Sequence, residues 1–340
     1  MEWSLKLEEY SSLISEKLDG FFKEAIVEAE KYHSFIGKVY YTLRDFVMRR
    51  GKRIASYTTL ITYRGYSDER YGSILDICCG IELYRHAILV HDDLIDEDVM
   101  RRGGKTIHEV FKSAYDSRLG YGTAVFAGNV LLSLALKAIV NSDFPPDKLR
   151  EVSRLVIEGF KEVNESQILD LLFEYKDVDV EEWYVMASRR AASLFKTTIL
   201  TGAILASAPS RDIELLKEAS THIGYAFDIQ DDIIDLFANR EQYGRDPGKD
   251  LLFEKKPLYV IYALEQVSKE KLKNFIREGN IEEIKRLIVG SKALDKAREK
   301  AFKHASKAKE LLSKTEMNGN AKGFFYYLID FICKSLDWYK

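Results

Sequence analysis

Long stretches of helical periodicity constrain this chain more than any other feature. The segments "EVSRLVIEGFKEVNESQILDLLFEY", "EEWYVMASRRAASLFKTTILTGAILA" and "DIELLKEASTHIGYAFDIQDDIIDLFA" carry apolar residues three and four positions apart over many turns. Only five of the 340 residues are proline, so little interrupts these runs. Several runs are apolar nearly all round, which is typical of helices in the middle of a large bundle. The sequence therefore predicts an all-α fold.

Helix breaks are predicted where glycine, proline and capping residues cluster. These places are "RRGGKT" (101–106), "NSDFPPDK" (141–148), "SAPSRD" (207–212) and "YGRDPGKD" (243–250). No linker rich in Gly, Ser or Pro divides the chain, so we expect one domain spanning residues 1–340. The charged segment "KALDKAREKAFKHASKAKELLSK" is predicted to form an outer helix with an apolar stripe.

Composition limits the partners and the compartment. A formal net charge of -3, from 51 basic and 54 acidic residues, gives no indication of a nucleic-acid partner. Three cysteines, two of them adjacent in an apolar run, form neither a disulfide framework nor a zinc spacing. The N-terminal segment lacks the pattern of a signal peptide, and no run of roughly 18 apolar residues predicts a membrane-spanning helix. We expect a soluble, cytoplasmic protein.

A repeated aspartate pattern gives the strongest indication of chemistry. "DDLID" returns as "DDIID", each time after an apolar helical run. Positions i and i+4 share one helix face, so each pattern groups three carboxylates. The carboxylates are those of Asp92, Asp93, Asp96, Asp231, Asp232 and Asp235. Because like charges repel, burying them requires a positive partner. Oxygen donors without matched His or Cys favour a hard divalent ion, and Mg²⁺ prefers to share its coordination with phosphate oxygens.

Two arginines follow the first aspartate group. Arg101 and Arg102 offer planar guanidinium groups that match phosphate oxygens bidentately. Gly103 and Gly104 come next and are expected to end the helix. A solvated acidic helix face is the alternative for either aspartate group alone, but two copies argue against it. The pattern predicts a site for a metal-bridged diphosphate.

These residues resemble the trans-isoprenyl diphosphate synthases, the polyprenyl synthase family, in its geranylgeranyl or longer-chain type. The family pattern DDxxDxxxxRRG is matched by "DDLIDEDVMRRG", and GxxFQxxDDxxD is matched by "GYAFDIQDDIID" with one departure. The likeness continues in "GKR" (51–53), "SQILDL" (166–171), "SLFKTT" (193–198) and "GKDLLFEKK" (248–256). The resemblance implies a large helical bundle of the isoprenoid synthase type with a central cavity, and a homodimer.

The resemblance also implies the reaction and the residues that carry it. Isopentenyl diphosphate is condensed head to tail with an allylic diphosphate, and Mg²⁺ is bound by the six aspartates. Arg101 and Lys255 are implied as contacts to the allylic diphosphate, while Lys52 and Arg102 belong to the isopentenyl diphosphate side. Arg53 is expected to be a further substrate-binding residue. Gln167 and Asp170 match polar positions that line the cavity.

Several positions depart from the family pattern. Ala55 stands where the family usually has an arginine, and Arg85 stands where it usually has a histidine. The Lys-Thr pair of the family is Arg190 and Ala191 here, and its Gln after Phe is Asp228. We expect Arg85, Arg190 and Asp228 to belong to the substrate-binding set. The departures put the isopentenyl diphosphate side in question more than the allylic side.

The positions just before the first aspartate group bear on product length. In the family, a bulky aromatic five residues before the first aspartate stops chain growth early. Here that residue is Ala87, followed by Ile88, so growth is not blocked at this level. The resemblance implies products of C20 or longer.

Three other functions fit parts of the sequence. A class I terpene cyclase would share the fold and would also ionise an allylic diphosphate, but it typically pairs one DDxxD with an Asn/Ser/Glu triad. An HD-type phosphohydrolase is suggested by His91-Asp92 alone, without further histidines at the required spacing. A non-catalytic partner subunit of a prenyl synthase stays open because of the altered isopentenyl diphosphate side.

Overall fold

The computed structural model describes residues 2–49, 51–68, 72–238 and 248–334. These residues are almost entirely α-helical, which confirms the all-α prediction. In chain order the described helices are α1 (Glu2–Tyr32), α2 (Ser34–Met48), α3 (Ile54–Tyr66), α4 (Gly72–Ile95), α5 (Ile107–Ala114), α6 (Ser117–Val140), α7 (Pro146–Glu174), α8 (Val180–Ala187), α9 (Ala191–Leu205), α10 (Ser210–Phe237), α11 (Lys249–Leu252), α12 (Leu258–Leu264), α13 (Lys269–Arg277), α14 (Ile281–Gly290), α15 (Ala293–Ser313) and α16 (Gly319–Lys334). Between α4 and α5, strands β1 (Met100–Arg101) and β2 (Gly104–Lys105) pair antiparallel.

The helix ends fall where local chemistry places them. The predicted breaks at 141–148 and 207–212 are confirmed, because α7 begins at Pro146 and α10 at Ser210. At 101–106 the chain forms the β1–β2 hairpin instead of ending a helix. Helix α4 ends earlier, at Ile95, so the expectation that the glycine pair ends that helix is wrong. Of the fourth predicted break, residues 243–247 lie outside the described residues.

The helices group into two compact units. The first comprises Met1–Phe160 and Leu200–Ala208, and the second comprises Lys161–Ile199 and Pro209–Lys340. The expectation of one domain over 1–340 stays a prediction.

In the first unit, α4 lies at the centre and packs mainly against α6. Its sequence is apolar nearly all round, so Ile77, Leu83 and Ala87 are completely buried. Helix α6 starts at the N-cap Asp116, whose side chain accepts a hydrogen bond from the Leu119 N–H at 2.8 Å. This packing presents the last turn of α4, with the first aspartate group, at one end of the unit's core.

Helix α6 also has the length and composition of a membrane-spanning helix. It is the one described helix that passes this test, and less than half of its most apolar window is buried. One such helix is weak evidence, because core helices of water-soluble proteins pass the same test. The expected cytoplasmic location therefore stays a prediction.

In the second unit, α10 packs along α15. The predicted apolar stripe of α15 is confirmed, with Ala297, Ala301 and Ala308 buried. Small side chains at these spacings let two helices approach closely. A second layer of buried side chains, including Trp183 and Tyr259, packs against the carboxyl half of α10. The second aspartate group thus lies on a helix held from several sides.

Candidate active site

The first aspartate group lies at the carboxyl end of α4. Asp92 and Asp93 belong to the last turn, and Asp96 follows the helix by one residue. The Asp96 N–H still donates to the Asp92 carbonyl at 2.9 Å, so the predicted i, i+4 relation between them persists. Asp93 is 1% exposed, whereas Asp92 and Asp96 are half-buried.

Arg101 is the cation that this group holds within the protein. Its Nε donates to Asp93 Oδ1, and its Nη2 donates to Asp92 Oδ2 at 3.3 Å. Nη2 also lies 3.8 Å from Asp98 Oδ2. Burial raises the pKa of Asp93 to about 6, although the charge of Arg101 opposes this shift. Asp93 Oδ2 is buried and has no hydrogen-bond partner among the described residues.

The β1–β2 hairpin directs Arg102 toward the loop that carries "GKR". Arg102 and Gly103 both have positive φ, 51° and 78°, and form the turn. A Cβ atom on Gly51 would lie 2.7 Å from Arg102 Nη1, so glycine at this position lets the guanidinium lie directly against the loop. The two sequence-predicted segments therefore meet in the first unit.

Positive charge concentrates around Arg102. Desolvation by the surrounding protein lowers the pKa of Arg102 to about 10, and the positive charges of Arg85 and Arg101 add to this shift. No hydrogen-bond or ion-pair partner of the Arg102 guanidinium lies in the described part of the chain. Arg102 is nevertheless exposed to solvent. A cationic cluster of this kind attracts a multiply charged anion such as a diphosphate.

Arg53 has a different position from the one expected of a substrate contact. Its side chain is 1% exposed, and its Nη1 donates to Glu82 Oε2 at 3.2 Å. The other oxygen of Glu82 accepts hydrogen bonds from the N–H and Oγ of Ser56, at 3.2 and 2.6 Å. Arg53 thus anchors the loop beside Lys52 to α4, and its assignment as a substrate contact stays a prediction.

Next to this anchor, Arg85 and His86 occupy adjacent positions of α4. His86 is buried, and burial lowers its pKa well below the usual value, so it is neutral. Its Nδ1 lies 2.7 Å from the Glu82 carbonyl oxygen, as expected for an N–H donor. Arg85 is half-buried and contributes to the positive potential at Arg102. Ala87 is fully buried and Ile88 is half-buried, and their role in product length stays a prediction.

The second aspartate group lies on α10, close to the start of α9. Gly224 of α10 packs against the backbone of Ala192, where any Cβ would overlap it. Because the two segments lie this close, the Arg190 side chain reaches two carboxylates of α10. Its Nε donates to Asp228 Oδ1 and its Nη2 to Asp232 Oδ1, both at 3.0 Å. Arg190 and Asp228, two of the departures from the family pattern, therefore form one ion pair.

Burial raises the pKa of two carboxyls here, to about 8 for Asp232 and about 6 for Asp228. The charge of Arg190 opposes both shifts. Asp232 Oδ2 is buried without a hydrogen-bond partner among the described residues. Asp235 is also buried, and Asp231 is half-buried. Asp228 and Asp232 are thus shielded from water, and both are weaker acids than an exposed aspartate.

Lys255 and Arg190 contact different oxygens of the Asp170 carboxylate. Lys255 Nζ is 3.5 Å from Asp170 Oδ2 and 3.5 Å from Asp250 Oδ1. Arg190 Nη1 lies 3.8 Å from Asp170 Oδ1, so Asp170 links the two cations. Gln167 is half-buried one turn earlier on α7. The second unit thus brings together Asp170, Arg190, Asp228, Asp232 and Lys255 of the predicted set.

The fit of these groups to Mg²⁺ rests on their donor atoms. In the described ranges, no set of three or more His, Cys, Asp or Glu side chains is arranged to hold a metal ion. Arg101 instead binds Asp92 and Asp93, and Arg190 binds Asp232. Asp93 and Asp232 each keep one buried oxygen that has no partner in the described part of the chain, and oxygen-only donors are those that Mg²⁺ prefers. The donors fit the ion, and the binding of Mg²⁺ by the six aspartates stays a prediction.

The structure adds residues that sequence reasoning missed. Glu82 was detectable as a lone acid in the apolar run "GIELYRHAILV", where burial would require a cationic partner. Asp98 and Asp250 lie within the motifs given above, but neither was among the expected site residues. Arg49 had no pattern that indicated a role.

Comparison with known proteins gives this arrangement a context. The sequence profile described as polyprenyl synthetase matches residues 38–289. A geranylgeranyl pyrophosphate synthase of Geoglobus acetivorans is 30% identical over 310 residues, which cover 90% of this chain and 91% of that protein. A farnesyl diphosphate synthase of Bacillus subtilis is 35% identical over 247 residues, 71% of this chain and 78% of that protein.

A solved structure extends the likeness to the fold. It is a geranylgeranyl pyrophosphate synthase of Corynebacterium glutamicum complexed with isoprenyl diphosphate and magnesium. It matches with a TM-score of 0.90 at 21% identity and covers 96% of this chain and 99% of that chain. At this identity the likeness shows the fold alone, and that fold is the predicted all-α one.

Proposed function

Because the chain belongs to the polyprenyl synthetase family, we propose that it is a trans-prenyltransferase. It condenses isopentenyl diphosphate with an allylic diphosphate and releases a polyprenyl diphosphate of C20 or longer. The observation that carries the proposal is the pairing of each family aspartate motif with an arginine. In each motif one of the paired carboxylates keeps a buried oxygen without a partner among the residues that the structure describes. We propose that Mg²⁺ binds to these carboxylates in place of part of their contacts with Arg101 and Arg190.

The isopentenyl diphosphate contacts are proposed for the cationic cluster of the first unit. Arg102 supplies an exposed guanidinium, and Arg85 adds positive charge beside it. We assign Lys52, which follows Gly51 in the loop that meets Arg102, to the same set. Arg53 holds the loop of Lys52 in place through Glu82. We assign Arg85 the role of the family histidine, since it stands at that position and its charge acts on Arg102. This cluster supports binding of the second substrate despite Ala55.

For the allylic substrate we propose Arg101 and Lys255 as diphosphate contacts. Each is already held by carboxylates, so each is oriented before substrate arrives. Mg²⁺, when bound by the aspartates of the two motifs, would neutralise diphosphate charge and act as a Lewis acid on the leaving group. The protein's own contribution is positioning and fixed charge.

The proposed bond changes balance without a further reactant. The allylic carbon–oxygen bond breaks, and its electron pair leaves with the diphosphate. The double bond of isopentenyl diphosphate supplies the electrons of the new carbon–carbon bond. A proton is then lost from the adjacent carbon to the departing diphosphate, which restores a double bond.

The decisive experiment is chain elongation. Purified protein is incubated with Mg²⁺, labelled isopentenyl diphosphate and each allylic diphosphate in turn, and products are resolved by length. We expect polyprenyl diphosphates of C20 or longer. Diphosphate release from the allylic substrate alone would favour a cyclase, and binding without turnover would favour a partner subunit. Either result would contradict the proposal.

We also propose that the chain forms a homodimer through α6. This helix exposes Tyr121, Val125 and Phe126, with Phe126 70% exposed. Exposed apolar side chains close together in one helix are typical of an interaction surface when they form a patch. A second copy is the proposed occupant, because the family is typically dimeric.

A further inference from the structure

Arg49 connects α2 to both strands of the hairpin. It is the C-cap residue of α2, and its Nε and Nη2 donate to Asp45 Oδ2 at 3.2 and 2.7 Å. Its Nη1 donates to the carbonyl of Arg101 at 3.1 Å, and its Nη2 donates to the carbonyl of Lys105 at 2.9 Å. One guanidinium therefore ties a carbonyl of β1 to a carbonyl of β2.

The surroundings of Arg49 fit this role. The side chain is 11% exposed, and its guanidinium lies 5.3 Å from the centre of the Phe46 ring. Gly104 packs directly on the guanidinium, where a Cβ atom would overlap it. The arginine is thus enclosed between α2 and the hairpin rather than extended into solvent.

Arg101 of β1 pairs with Asp92 and Asp93, and Lys105 Nζ of β2 donates to Ser113 Oγ at 2.8 Å, so each of these contacts holds only one strand of the hairpin. Its strands contain two residues each, and such a short hairpin is marginal by itself. At its base, the Thr106 N–H donates to the Val99 carbonyl at 3.1 Å, and Thr106 Oγ1 donates to the Asp98 carbonyl at 2.6 Å. Nearer the turn, Arg49 supplies the charge-assisted bonds to the two strands.

We propose that Arg49 is a positioning residue that fixes the hairpin and thereby the direction of Arg102. The proposal rests on the proposed function, since Arg102 matters there as a diphosphate contact. Arg49 itself touches no substrate in this assignment. Its loss should loosen the hairpin and weaken isopentenyl diphosphate binding while the helical core stays intact.

The first test compares Arg49→Ala, Arg49→Lys and the control Arg44→Ala. Arg44 lies on the same helix and pairs with Asp19 instead of the hairpin. Arg49→Ala should raise the KM for isopentenyl diphosphate roughly 10-fold. The effect on the allylic KM should be smaller, because Asp92 and Asp93 still hold the Arg101 side chain. Arg49→Lys should restore part of the loss, because one ammonium cannot bridge both carbonyls as a planar guanidinium does. Equal changes in both KM values would overturn the proposal.

A readout independent of activity separates this inference from the proposed function. Amide hydrogen exchange of residues 99–106 should accelerate in Arg49→Ala and stay unchanged in Arg44→Ala. Binding of inorganic diphosphate should weaken in parallel. If the wild type fails to elongate but these changes occur, the proposed function fails and the role of Arg49 stands. Unchanged exchange in Arg49→Ala would overturn the role of Arg49 alone.

A double substitution tests the contact itself. Gly104→Ala alone should impair isopentenyl diphosphate binding, because its Cβ would overlap the Arg49 guanidinium. In an Arg49→Ala background the guanidinium is absent, so Gly104→Ala should add little further loss. Strictly additive effects of the two substitutions would contradict a direct contact.

Discussion

At the scale of single residues, Arg190 and Asp228 both depart from the family pattern, and they form an ion pair with each other. Read along the chain, one replaces a lysine and the other adds a negative charge beside an aspartate group. In the folded unit, the guanidinium of Arg190 bridges Asp228 and Asp232. A planar fork with several donors can satisfy two carboxylates, whereas an ammonium acts as a point charge. The added aspartate is thereby compensated.

Removing the bridge should be costly. Arg190→Ala would leave Asp228 and Asp232 buried without their cation, which typically costs about 3–5 kcal/mol of stability. Thermal unfolding of the purified variant measures this loss. The neighbouring Arg189, a half-exposed residue paired with Glu165, provides the control. Arg189→Ala should change stability by less than about 1 kcal/mol, and an equal loss in both variants would contradict the assignment.

Arg85 offers a second test at this scale. If it replaces the family histidine, Arg85→Ala should raise the KM for isopentenyl diphosphate by roughly 10-fold and leave the allylic KM nearly unchanged. The physical reason is that Arg85 contributes to the positive potential at Arg102. Steady-state kinetics with each substrate varied in turn provides the measurement. Equal effects on both KM values would argue against the assignment.

At the scale of elements, the contact between α10 and α15 contains a histidine pair. His222 Nδ1 lies 2.8 Å from His304 Nδ1, and His304 Nε2 lies 2.9 Å from the Tyr184 hydroxyl oxygen. Burial, with the charges of His222 and Lys300, lowers the pKa of His304 to about 4. Burial also lowers the pKa of His222. Two facing nitrogens at this distance share one proton well but repel when both rings are charged.

The pair should make stability depend on pH. The folded pKa of His304 is about 4, below the value of 6.5 for an ordinary histidine, so the unfolded chain binds more protons between these pH values. Stability from this group is therefore complete above pH 6.5 and falls as pH decreases toward 4. Because the ring is partly solvated, we expect a contribution of about 2 kcal/mol rather than the full shift.

Unfolding measured from pH 7 to 4.5 tests this contribution. His304→Gln should flatten the pH dependence relative to the wild type. A slope unchanged by His304→Gln would count against the pair.

At the scale of the whole molecule, α6 is both a core helix of the first unit and the proposed dimer surface. Its buried face packs against α4, and its other face exposes apolar side chains. Phe126→Glu should place a charge in the proposed dimer surface and shift the protein toward monomer. Sedimentation velocity measures the shift. Tyr32→Glu, at an 81% exposed position of α1, is the control and should leave the oligomeric state unchanged. A Phe126→Glu protein with the wild-type sedimentation coefficient would contradict the proposed surface.

The sequence by itself determined the fold class and the two aspartate motifs, because helical periodicity and motif spacing are properties of neighbouring residues. It also identified Arg101 and Arg102 beside the first motif. Tertiary structure alone decided which cation each carboxylate holds. The bridge from Arg190 to Asp228, the anchor of Arg53 on Glu82 and the tie from Arg49 to the hairpin join residues 29 to 56 positions apart. Such partners are chosen by the packing of helices, which local pattern does not encode.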